Sequence, residues 1–141
     1  MILLDSNVVS ALMRLHLESA VADWLGTQTV EQMFIATPTI FEIRFGIEAK
    51  PHGRRRRALQ AAYDDVVGAQ FSERIIPFDR ASAIAAGHAR ALQQKGGRTV
   101  SIPDSQIAGI SLTLGMVLAT RDIDDFAGLG IVLIDPWSSS A

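Results

Sequence analysis

Two short apolar runs, each ending in polar residues that bring in an aspartate, constrain this chain more than any other feature. Ile2, Leu3 and Leu4 run into Asp5, Ser6 and Asn7, and residues 116–119 (Met-Val-Leu-Ala) run into Thr120, Arg121 and Asp122. An unbroken apolar run of this length, flanked by helical patterns, reads as a strand buried on both faces of a parallel sheet. In open α/β sheets, ligands bind beyond the carboxyl ends of the strands. Each run therefore delivers an aspartate to the edge where chemistry takes place.

Between the two runs, helical and strand signals alternate. Residues 6–13 read as a short helix with Val8, Val9 and Leu12 on one side and Ser6 or Asn7 as its cap. Residues 18–25 form a second helix with Val21 and Trp24 inward, and residues 33–36 a short strand. Pro38, set between two threonines, signals a helix over residues 39–49. That helix carries Ile40, Phe41, Ile43, Phe45 and Ile47. It is apolar around most of its circumference, which predicts packing on more than one side. Glu42 sits inside this run, where a carboxylate is costly to bury unpaired, and Gly46 on the same face leaves room beside it.

After a break at residues 51–53, an amphipathic helix is expected over residues 54–67, opening with Arg54, Arg55, Arg56 and Arg57. Residues 75–76 make a brief strand. Asp79 then caps an alanine-rich helix that stops at Gly96-Gly97, and its small residues predict close packing against a neighbour. Pro103 suits the first turn of a helix over residues 104–114, with Asp104 at its N-terminus. The strand at 116–119, a helical turn at 122–126 and a strand at 131–134 complete the pattern. Strands alternating with helices predict a three-layer α/β/α domain with a mostly parallel central sheet over residues 1–137, followed by a serine-rich tail at 138–141.

Composition narrows the chemistry. The 141 residues include no cysteine, so disulfides and thiolate metal sites are excluded. The three histidines, His16, His52 and His88, show no ligand spacing, so a metal would be hard and oxygen-bound. A net charge of −2 neither demands nor excludes a nucleic-acid partner. No apolar run approaches the ~18 residues of a membrane span, and no charged segment precedes an apolar stretch, so the expected location is the cytoplasm.

Taken singly, each acid has a structural explanation. Asp5 would be a helix cap, Asp104 a first-turn acid favoured by the helix dipole, Glu42 the partner of a buried arginine and Asp122 a turn residue. Gathered together they would repel and raise one another's pKa values. A divalent cation resolves that conflict, and Mg²⁺ or Mn²⁺ prefers carboxylates and waters. Such an ion, or a pair of ions, suits phosphodiester hydrolysis.

Residues 1–10, M-I-L-L-D-S-N-V-V-S, resemble the opening of the PIN-domain ribonucleases. A-T-P-T-I-F-E-I-R-F-G at residues 36–46 is similar to the second motif of that family, I-P-D-S-Q-I-A at 102–108 to the third, and L-A-T-R-D-I-D-D-F at 118–126 to the fourth. The likeness covers nearly the whole chain and is greatest to the VapC and FitB toxins. It implies a Mg²⁺- or Mn²⁺-dependent endoribonuclease, usually a homodimer, held in check by a small antitoxin protein. It implies that Asp5, Glu42, Asp104 and Asp122 form the metal-binding, catalytic acidic quartet. Asn7 matches the residue that orients the first aspartate, with Ser6 beside it in place of the commoner threonine. Thr120 and Arg121 lead into the last acid, and Asp125 matches a neighbouring or occasional ligand. Many relatives carry asparagine where this chain has Asp122.

The resemblance assigns no role to Arg54, Arg55, Arg56 and Arg57. They sit where the helix dipole disfavours cations, a local conflict that hints at RNA or partner contact. His88 reads as a packing or surface residue, and Trp24 and Trp137 as packing or interface residues. Two other phosphate-handling folds fit less well. A haloacid-dehalogenase-like phosphatase needs a second aspartate where Asn7 stands, and a receiver domain needs a late lysine, whereas the lysines here are Lys50 and Lys95. The non-enzymatic alternative is a catalytically silent PIN-like module that binds RNA or protein.

Overall fold

The computed structural model describes residues 1–138, so residues 139–141 of the expected tail lie outside the described residues. Across the described residues, five parallel strands form one sheet in the order β3-β2-β1-β4-β5. These are β1 (Ile2–Leu4), β2 (Met33–Ala36), β3 (Ile75–Ile76), β4 (Val117–Ala119) and β5 (Leu133–Ile134). The two apolar runs that end in aspartates are thus adjacent, with Leu3 opposite Leu118 and Leu4 opposite Ala119. Strand order runs one way from β1 through β2 to β3 and the other way through β4 to β5. The crevice between β1 and β4 is therefore the point where a doubly wound sheet opens to a ligand.

Six α-helices flank the sheet in the described residues: α1 (Ser6–Leu12), α2 (Ser19–Gly26), α3 (Thr37–Glu48), α4 (Arg54–Tyr63), α5 (Arg80–Lys95) and α6 (Ile102–Leu114). Strand side chains alternate between faces, and β1 divides accordingly. Ile2 and Leu4 join Val8, Val9, Trp24 and Ile35 on one side, while Leu3 joins Ile107, Ile110 and Leu118 on the other. Two cores back to back make the three expected layers. No helix among the described residues is long and apolar enough to cross a membrane.

Three local expectations change. The cap of α1 is Asp5, whose Oδ1 accepts the Ser6 N–H at 2.8 Å, not Ser6 or Asn7. The helix begins at Ser6, directly after the acid that ends the strand, so that acid becomes the cap. Helix α6 begins at Ile102 under Ser101, whose Oγ accepts the Asp104 N–H at 3.2 Å. The amphipathic segment expected over residues 54–67 is α-helical only to Tyr63, then widens into π-helical turns over Asp64–Gln70. The wider turn lets Val66 and Val67, adjacent in sequence, both face the core. Helix α3 does pack on more than one side, against β2, α1, α4 and α6, but one strip stays open. Phe41 and Phe45, four residues apart and so on one face, are 71% and 68% exposed. Among the described residues no element covers them.

The small residues of α5 do pack against a helix. A Cβ placed on Gly109 of α6 would lie 2.3 Å from the Ser82 carbonyl and 2.7 Å from the Ala86 Cβ on α5. Only glycine allows the two helices to approach this closely.

Candidate active site

Each of the four acids is carried to the carboxyl edge of the sheet by a different element. Asp5 follows β1 and caps α1. Glu42 lies in the second turn of α3, which begins directly after β2. Asp104 lies in the first turn of α6, where the helix dipole favours a negative charge. Asp122 follows β4 and precedes a 3-10 turn over Ile123–Phe126 that holds Asp125.

Asp5 is the buried centre of the group, 2% exposed. Both of its carboxylate oxygens are held: Oδ1 by Ser6 N–H at 2.8 Å and Oδ2 by the Thr120 hydroxyl at 2.7 Å. Thr120 Oγ1 in turn accepts the Asp122 N–H at 3.0 Å. One threonine side chain therefore fixes the buried acid on β1 and the start of the loop bearing Asp122.

Asn7 behaves differently from the role its motif position implies. It makes no hydrogen bond to Asp5. Its side-chain amide donates to Asp122 Oδ2 at 3.1 Å, and its Oδ1 accepts the Arg121 N–H at 3.4 Å. Asp5 is buried two residues earlier, with both oxygens already satisfied, while Asn7 faces the β4 loop. The Arg121 side chain leaves the acids and stacks over Trp137, 4.8 Å from the ring centre.

The electrostatics record the crowding. Burial pushes the Asp5 carboxyl above 3.8, against the Thr120 and Ser6 hydrogen bonds, and the charges of Asp122 and Asp125 push it further. Burial likewise raises Glu42, helped by the charges of Asp5 and Asp104. Asp104 is pushed up to about 6 by burial first and by Asp5 next. These couplings bring all four acids, and Asp125, into one field. Glu42 Oε1 is buried with no hydrogen-bond partner. Among the described residues no three acidic or histidine side chains form a ready-made metal cage, as expected of uncompensated carboxylates that repel. An unpartnered buried oxygen, raised pKa values and an all-oxygen donor set fit a hard divalent cation.

Two residues that the motifs do not mark support the site from behind. The buried Gln93 of α5 donates from Nε2 to the Asp125 carbonyl at 2.8 Å, and Arg98 Nη1 donates to the Asp124 carbonyl. They hold the backbone of the 3-10 turn that follows Asp122. The available signal was that Gln93, the first of two adjacent glutamines, falls in step with Ala86 and Ala89 on the core-facing side of an alanine-rich helix. Beside Glu42, a groove of about 940 Å³ opens between α1, α3 and α4. A Cβ at Gly46 would meet nothing within 4 Å, so the room expected beside the carboxylate is present.

The PIN domain family model matches residues 2–131. The chain is 32% identical over 137 residues to the VapC ribonuclease Y4jK of Sinorhizobium fredii, covering 97% of this chain and 98% of that protein. It is 28% identical over 137 residues to Toxin FitB of Neisseria gonorrhoeae, covering 97% and 99%. The crystal structure of FitAcB from Neisseria gonorrhoeae superposes with a TM-score of 0.87 at 28% identity, covering 98% of this chain and 99% of that one. With its doubly wound sheet and its acids gathered at the β1–β4 crevice, this chain belongs to the PIN-domain family, among relatives of the VapC and FitB type.

Proposed function

We propose that this protein is a divalent-metal-dependent endoribonuclease and the toxin of a type II toxin–antitoxin pair. The observation that carries the reading is the shared field of the acids: Asp5, Glu42 and Asp104 have raised pKa values, and the charge of Asp122 helps to raise Asp5 and Asp104, a conflict that a cation relieves. These four carboxylates would hold Mg²⁺ or Mn²⁺. When bound, such an ion activates water and offsets charge developing on a phosphodiester. Thr120 aims Asp5 and favours its charged form by donating to Oδ2, against the effect of burial, and Asn7 holds Asp122 Oδ2. Asp125 adds its charge at the rim without a strand of its own to fix it. The names of the relatives, a VapC ribonuclease and a toxin, support RNA as the substrate and a small antitoxin protein as the partner. Exposed Phe41 and Phe45 support a homodimer, because an apolar pair left open on one helix is covered by a second copy. The reading puts the protein in the cytoplasm, with its RNA.

The test is cleavage of total cellular RNA by purified, antitoxin-free protein, with Mg²⁺ or Mn²⁺ against EDTA, and with Asp5→Asn alongside. Discrete metal-dependent fragments, absent in a folded Asp5→Asn protein, are the expected result. Full activity in that variant would overturn the assignment. No cleavage by the wild type, together with no metal binding, would leave the silent binding module.

A further inference from the structure

The run Arg54, Arg55, Arg56 and Arg57 is split by its own helix. Arg56 turns back onto α3, donating from Nη2 to Glu48 Oε2 at 2.7 Å and from Nη1 to the Lys50 carbonyl at 3.3 Å. It joins Arg44, which holds Gln60 and Glu48, in fastening α3 to α4. Arg55 faces the other way and lines the groove together with Lys50. Neither the Arg55 guanidinium nor the Lys50 ammonium has a hydrogen-bond or ion-pair partner among the described residues. Arg54 and Arg57 are exposed and do not line the groove.

The groove has two chemically distinct ends and a different floor. One end is Ser6 and Glu42, part of the acidic site. The other is Lys50 and Arg55. Ile43 and Leu59 make the wall between them apolar. Glu42 and Glu48 are six residues apart on α3, so the ends are separated by at least ~9 Å along the helix axis. Cations without counter-ions fit phosphates, and an apolar surface fits base faces freed from a helical stack. A duplex hides those faces.

We infer that this groove is the track of a single-stranded RNA, in which Lys50 and Arg55 hold backbone phosphates while the neighbouring phosphodiester lies at the acidic site. The inference rests on the ribonuclease reading for the acidic end, and it adds the direction in which the strand leaves. Lys50 and Arg55 are positioning residues: they touch phosphates that do not react. They set affinity, not sequence preference.

The experiment measures binding of a fluorescent single-stranded oligoribonucleotide of mixed sequence, and of its duplex, to Asp5→Asn protein across a salt series, alongside cleavage kinetics in the otherwise wild-type chain. Lys50→Ala and Arg55→Ala are each expected to flatten the plot of log affinity against log salt by ~0.7 for single strands. In cleavage they raise KM with kcat unchanged, the mark of binding lost equally in ground and transition states. Arg57→Ala is expected to leave both unchanged. Gly46→Leu, on a groove-lining position where a Cβ meets nothing within 4 Å, is expected to block single-stranded RNA while the fold, checked by its denaturation midpoint, persists. Equal losses in Arg57→Ala would overturn the track in favour of diffuse charge attraction. So would duplex binding equal to single-strand binding. So would Lys50→Ala and Arg55→Ala variants that handle RNA normally but no longer bind an inhibitory protein, since the groove would then be a protein's. A wild type that binds RNA through Lys50 and Arg55 yet never cleaves would overturn the nuclease reading and leave the track standing.

Discussion

Thr120 Oγ1 donates to Asp5 Oδ2 at 2.7 Å across 115 positions of sequence, and the same oxygen accepts the Asp122 N–H at 3.0 Å. Thr120 is fully buried at the end of β4. Replacing it with valine preserves the shape and removes both bonds, leaving a buried carboxylate oxygen unpaired. The expected cost is about 1–3 kcal/mol of stability. The expected loss of metal affinity or activity is ~10–100-fold, the usual effect of removing the group that orients a ligand. Thr120→Ser retains the hydroxyl and should retain activity. Urea unfolding and metal-dependent cleavage of the two variants check this.

Asp104 predicts a pH dependence. Its folded-state pKa, about 6, lies above its ordinary 3.8. The folded chain therefore binds this proton more tightly than the unfolded chain. In EDTA, stability should rise as pH falls through about 6 toward 3.8 and be lost again as pH rises. Asp5 and Glu42, shifted in the same direction, add to the trend. Asp104→Asn should raise the metal-free Tm at ~pH 8 and flatten its pH profile. Mg²⁺ or Mn²⁺ should raise the wild-type Tm at that pH more than the variant's. A metal-free Tm that falls in Asp104→Asn would contradict the account.

Gln93 predicts a separation of metal affinity from stability. Gln93→Met keeps the volume and frees the Asp125 carbonyl. The metal concentration for half-maximal cleavage should rise ~10-fold, while activity at saturating metal recovers. Titration of cleavage with Mg²⁺ or Mn²⁺ measures both.

Gly109 predicts a packing limit. In Gly109→Ala the new methyl would press on the Ser82 carbonyl and on Ala86, both belonging to the backbone side of α5. The helices must separate, at an expected cost of about 1–3 kcal/mol. Because α6 carries Asp104 and α5 carries Gln93, cleavage should fall along with the denaturation midpoint.

Strand and helix types, and the acids at their ends, were legible in the residues themselves. They depend on periodicity, on caps and on proline, which act over a few residues. The β1 and β4 runs showed their aspartates for the same reason: a buried strand has to be apolar until it leaves the sheet. The motifs placed Asp5, Glu42, Asp104 and Asp122 in order, and the fold brings them into one electrostatic field. Asn7 was legible as a site residue and not as a partner of Asp122, because its bond spans 115 positions.

What the sequence by itself determined is therefore the list of elements and the acids they carry, because these follow from hydrogen bonds and hydrophobic periods closed within each segment. Only the tertiary structure decided that β4 lies beside β1, that Thr120 holds Asp5 and that Gln93 supports the Asp125 carbonyl. It alone separated Arg55, in the groove, from Arg56, bound to Glu48. These are contacts between segments far apart in the chain, set by which faces pack together, and no local pattern encodes that choice.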